Sequence, residues 1–149
     1  MIRYAHEFLE AALVVQRTIG QSSGYQIVPP IPVLYLIGHS IELSLKAFLL
    51  SRGLGLKQIK NLGHNLCDAF CESKEFGLLE LVQINTVEEG AFDFLNQLYK
   101  TKQFEYIVTG HKIFPTFVLI ESFSVKVFNA VSVNLGYNKQ IEGSILNFE

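Results

Sequence analysis

PVLYLIGHSIELSLKAFLLSRG, residues 32–53, decides the fold. Wound as a helix at about 100° per residue, the segment is apolar almost all the way round. Its polar side chains Tyr35, His39, Glu42 and Lys46 gather within about 60° of one another. A surface helix carries charge over half its circumference, and a wholly buried one carries none. The segment therefore reads as the central helix of a bundle, marked by one polar seam. Pro29, Pro30 and Pro32 set up its start, because proline is tolerated in a first turn. Gly53 and Gly55 end it.

Working outward, a first helix covers residues 2–18, with Ile2, Ala5, Leu9, Ala12 and Leu13 as its apolar stripe and GQSSG at 20–24 as its stop. After the central helix, Asn65 is placed to cap a short helix reaching Phe76, and Gly77 to end it. Thr86 with Glu89 fits a capping box for a helix over 87–99, whose buried face is Ala91, Phe94, Leu95 and Leu98. Residues 103–109 (QFEYIVT) are β-branched and aromatic and read as an extended connector. Pro115 opens a last helix to Leu135, with a stripe of Leu119, Ile120, Phe123, Val127, Ala130, Val131 and Leu135. Val118, Val125 and Val133 lie on its opposite, otherwise polar side. Such a second apolar side implies burial on two sides or a homodimer through this helix. From Asn138 the chain reads as a loosely held tail. Long helices, short connections and no run of regular strands predict an all-α, up-and-down bundle of four to five helices, one domain over 1–149.

Composition agrees with a packed domain. The 149 residues are 49% hydrophobic and 17% charged, and a chain this long buries about 70% of its extended surface. A net charge of −2 and a pI of about 6.1 argue against a broad basic surface for duplex nucleic acid. Met1 leads directly into a helix carrying Glu7 and Glu10, so no secretory signal is read and the expected compartment is the cytoplasm. The longest apolar stretches are interrupted by Glu42 and Lys46 and by Glu121 and Lys126, so no membrane span is expected.

Three groups of residues could carry chemistry. In the first, His39 can act as acid or base near neutral pH, with Glu42 one turn away and Lys46 another turn on. Glu42 and Lys46 form a favourable i, i+4 pair. The seam either fixes helix register or lines a cleft, with Tyr35 beside it. The second is LGHNLCDAFC at 62–71, where His64, Cys67 and Cys71 can share one helical face. A zinc site needs a fourth ligand and usually a second pair, and the chain has no other cysteine. No metal and no cofactor are expected, the cysteines read as free buried thiols, and His64 remains a capping group or a single site residue. The third is His111, accessible between Gly110 and Lys112, which could act on phosphate esters only beside a cation such as Lys102 or Lys112. There is no phosphate-cradling glycine loop, nucleophile elbow, His-Glu-x-x-His or EF-hand loop.

The order of these pieces resembles the HEPN family of small helical bundles. The resemblance rests on GHSIELSLKAFLLSRG in a Pro-led second helix, the LGHNL that follows, a short helix ending at Gly77, then Tyr106, Gly110 and a Pro-led last helix. It covers most of residues 1–136 and is sharpest over 33–66. The resemblance implies an α-bundle that is often dimeric and mostly prokaryotic. It also implies a toxin–antitoxin or phage-defence setting, sometimes beside a minimal nucleotidyltransferase partner. Active members are metal-independent ribonucleases that use an Arg followed four to six residues later by His. Here the arginines are Arg3, Arg17 and Arg52, and none precedes a histidine by that spacing. Glu105 precedes His111 by six, but a carboxylate there would repel a phosphate.

Two expectations follow. One is a HEPN-like module without catalysis that binds a nucleotide, RNA or a protein partner, with Tyr35, His39, Glu42, Lys46 and His64 as binding residues. The other is a metal-independent ribonuclease with a rearranged site drawn from His39, Glu42, Lys46 and His111.

Overall fold

The computed structural model describes residues 1–105 and 113–144. Among these the chain is all helical, with α1 Ile2–Thr18, α2 Ile31–Ser51, α3 Leu56–Asn61, α4 Leu66–Glu75, α5 Thr86–Lys100 and α6 Phe117–Asn134. Single 3₁₀ turns follow α1 and α4. Five of the six helices are those read from the periodicity; α3, only six residues long, is additional.

The helix α2 is central, packing against α1, α4, α5 and α6. Its Val33, Leu34, Ile37, Ile41, Leu45, Phe48 and Leu49 are wholly or almost wholly buried. By length and composition α2 and α6 could each cross a bilayer, and in the fold 67% and 44% of their most apolar windows lie inside the bundle. At the far side of the core Phe92 of α5 stacks on Phe123 of α6 (centroids 4.3 Å apart, planes within 11°), and Phe70 of α4 meets both edge-on at 5.3 Å.

Local signals explain the helix ends. Asn65 accepts the Asp68 N–H at the start of α4. Gly77 takes a left-handed φ of 93° that a side chain would resist, and the helix stops there. The capping box of α5 sits one residue earlier than Thr86 and Glu89 suggest. Asn85 Oδ1 accepts the Glu88 N–H (2.8 Å), and Glu88 Oε2 accepts the Asn85 N–H (3.2 Å). Glu88 is fixed there because its Oε1 accepts from Lys126 Nζ (2.6 Å) and Ser122 Oγ (2.8 Å) of α6. This turns the buried face of α5 to Ala91, Phe92, Leu95, Leu98 and Tyr99, and leaves Phe94 43% exposed.

Two further expectations change. Thr101–Glu105 turns rather than extends, with Gln103 N–H bonded to the Leu98 carbonyl; the rest of the connector, with Tyr106, Gly110 and His111, lies outside the described residues. The segment read as a loose tail is tied along α6 as far as residue 144. Asn129 pairs with both main-chain groups of Ile141 (2.8 and 2.9 Å), and Ser132 Oγ donates to the Lys139 carbonyl (2.8 Å). This strap covers part of the α6 valine side. Val118 and Val133 are exposed, whereas Val125 is half-buried beside Gly143 of the same chain.

Candidate functional site

The seam of α2 is completed by residues from two other parts of the chain. Glu42 is only 4% exposed. Its Oε1 accepts from Lys46 Nζ at 2.6 Å. Its Oε2 accepts from the Tyr99 hydroxyl at 2.7 Å and from His64 Nδ1 at 3.0 Å. Lys46 donates a second hydrogen bond, 2.7 Å, to the Gly63 carbonyl. Gly63, at a left-handed φ of 56°, turns the chain between α3 and α4 so that its carbonyl meets Lys46 and the next residue meets Glu42. At the other end of the seam, His39 Nδ1 lies 3.0 Å from the Tyr99 oxygen.

Tyr99 is brought in by a close approach. A Cβ on Gly38 would lie 2.6 Å from Tyr99 Cδ2, so only glycine lets the ring lie against α2. Phe8 of α1 then meets His39 edge-on at 4.5 Å, and the Tyr35 ring lies parallel to His39 within 7° at a centroid distance of 6.3 Å.

The hydrogen bonds fix the proton positions. Burial, and then the neighbouring Glu42 carboxylate, push the Tyr99 hydroxyl far above its ordinary range, so it stays protonated. An ionised carboxylate accepts only, so Tyr99 must donate to Glu42. Its oxygen is then an acceptor toward His39, which carries its proton on Nδ1. The same reasoning places a proton on His64 Nδ1. Neither Nε2 has a hydrogen-bond partner among the described residues, and the His64 side chain is 58% exposed. Burial raises the Glu42 carboxyl, but hydrogen bonds from Lys46, Tyr99 and His64 outweigh it and hold the group below its ordinary range. Burial lowers His39; the attraction of Glu42 only partly opposes this, and His64 and Lys46 lower it further.

A stability profile follows. His39 has a folded pKa below 6.5, so its contribution is complete above pH 6.5 and is lost as pH falls through the folded value. Glu42 and Glu88 are held below 4.5, so theirs is present above pH 4.5 and lost below it. Tm should therefore be level near neutrality and fall in two stages on acidification. His39→Gln should remove the earlier stage. A wild-type Tm that stays level from pH 6.5 to 4.5 contradicts the assignment.

Of the other candidates, Cys67 and Cys71 are not assembled with these, and His111 lies outside the described residues. Cys67 Sγ donates to Asp93 Oδ1 at 3.3 Å, and burial with that carboxylate pushes its thiol up to about 12. Cys71 is exposed rather than buried, and His64 is turned to Glu42. Among the described residues no group of three His, Cys, Asp or Glu side chains converges to hold a metal. The seam residues Tyr35, His39, Glu42 and Lys46 do come together and gain His64. The residue missing from the sequence reading is Tyr99. The available signal was the spacing of Glu88, Phe92, Leu95 and Tyr99, at i, i+4, i+7 and i+11 on one helical face.

The fold and site define an all-α bundle with a buried carboxylate holding a lysine, a tyrosine and a histidine, and with a second histidine tethered through the tyrosine. No protein-family model, curated protein or solved structure matches the chain.

Proposed function

We propose that this chain is a HEPN-like helical module, without catalysis, that binds a nucleotide or RNA at the His39–Tyr99–Glu42–Lys46–His64 cluster in a prokaryotic stress or defence setting. The observation that carries the reading is the engagement of Lys46. Its ammonium is held by Glu42 and by the Gly63 carbonyl, so with neutral imidazoles the cluster has no net charge. Among the described residues it offers hydrogen-bonding edges and aromatic faces without an unpaired cation to stabilise a phosphorane. Tyr35, His39 and Phe8 supply rings for a base to stack on, and the Nε2 edges supply acceptors.

One observation favours ribonuclease activity as a second reading. Two imidazoles are tethered by Nδ1 to one network, which leaves each Nε2 for proton transfer, as a general acid and base require. A single set of proteins separates the two. Wild type, Tyr35→Ala, His39→Ala and His64→Ala are titrated with a fluorescent single-stranded RNA and with AMP in EDTA, and the RNA is then run for cleavage. The binding reading expects saturable binding, at least about tenfold weaker in Tyr35→Ala, and intact RNA. Cleavage lost in a histidine variant establishes the ribonuclease instead. Absence of binding by wild type at millimolar ligand removes the binding reading.

A further inference from the structure

The structure buries three carboxylates among the described residues: Glu42, Glu88 and Glu121, each 4% exposed or less. Two of them have an ammonium at 2.6 Å, Lys46 for Glu42 and Lys126 for Glu88. Glu121 differs. Its Oε1 accepts only neutral donors, the N–H and hydroxyl of Ser144 (2.9 and 3.0 Å). Its Oε2 has no hydrogen-bond partner, and no cation lies within salt-bridge distance, among the described residues. Glu121 Oε2 is not among the atoms sealed from solvent without a partner, so it is open to an incoming counter-charge that the described side chains do not supply.

The surroundings say what would. Glu121 lines a groove of about 1320 Å³ between α6, the strap and the turn before α5. That volume exceeds the usual size of a small-molecule pocket, about 300–1,000 Å³. Among the described residues its charged lining is Glu88, Glu121 and Glu142 against Lys126 alone, and Lys126 is already bonded to Glu88. Beside Glu121 the lining is apolar, with Val118 41% exposed and Leu119 and Val125 half-buried.

We propose that this groove binds a free alkylammonium compound, its cationic head against Glu121 Oε2 and its apolar chain along Val118, Leu119 and Val125. An alkylamine is protonated at neutral pH, so it brings the counter-charge that Lys46 and Lys126 supply to the other two carboxylates. The groove shares no residue with the His39 cluster, and the proposal stands apart from the function proposed there.

The test compares hexylammonium with 1-hexanol, which has the same chain and no charge, on the full chain by NMR titration at pH 7. Hexylammonium should bind at least tenfold more tightly, with the largest shifts at Val118, Val125 and Ser144. Glu121→Gln keeps an acceptor for Ser144 and removes the charge, and should reduce the amine to the affinity of the alcohol while Tm is retained. Equal affinities for amine and alcohol on wild type overturn the proposal, as does saturation unchanged in Glu121→Gln or no saturable binding of hexylammonium. The wild-type comparison decides the matter if Glu121→Gln fails to fold.

Discussion

Glu42→Leu should lower folding stability by about 3–5 kcal/mol, because it leaves charged and polar partners buried without their acceptor. The Lys46 side chain is 12% exposed and Tyr99 is 6% exposed, so neither can regain full hydration in place. Urea unfolding followed by circular dichroism measures the loss, and Tm should fall on the order of 10 °C for a chain of this size. The double variant Glu42→Leu/Lys46→Leu should recover part of it, since removing both members of a buried pair is far milder than removing one. A single variant within about 1 kcal/mol of wild type would mean that the seam is solvated and that the hydrogen bonds around Glu42 contribute little.

Phe92→Ala should be of similar size, about 3–5 kcal/mol, by a different mechanism. Phe92 has no exposed surface and lies between Phe123 and Phe70, so its removal opens a void where α4, α5 and α6 meet. Phe94→Ala, two residues away and 43% exposed, is the control and should cost well under half as much. A larger loss at Phe94 than at Phe92 would mean that α5 presents the face first read from its sequence.

That pair also shows where the sequence is legible. Phe92 and Phe94 are both apolar, and side chains two apart on a helix point in nearly opposite directions, so only one can face the core. The choice depends on Glu88, which looks like a solvated first-turn acid until Lys126 and Ser122 arrive from α6. Helix spans and the centrality of α2 were readable because they depend on local periodicity and on Pro and Gly stops. The seam was readable for the same reason: His39, Glu42 and Lys46 lie on one helix. Tyr99 was not, since it meets Glu42 across 57 residues of sequence and a tyrosine on a helix face reads as core. His64 owes its direction to the left-handed Gly63, a backbone choice with no periodic trace. The strap was missed because side chains such as Asn129 and Glu121 hold its main chain, and its own residues follow no pattern.

The contact of Gly38 with Tyr99 reaches beyond stability. Because a methyl group at that position would collide with the ring, the glycine and the aromatic are a matched pair that can change only together. The neighbouring bonds add further fixed offsets: histidine directly after the glycine, the carboxylate three residues on, lysine four beyond that, and a Gly-His dipeptide just ahead of α4. Gly38, His39, Glu42, Lys46, Gly63, His64 and Tyr99 thus form a sparse written signature. A diverged chain that keeps this signature would be expected to build the same cluster even where the rest of its core has been rewritten beyond recognition.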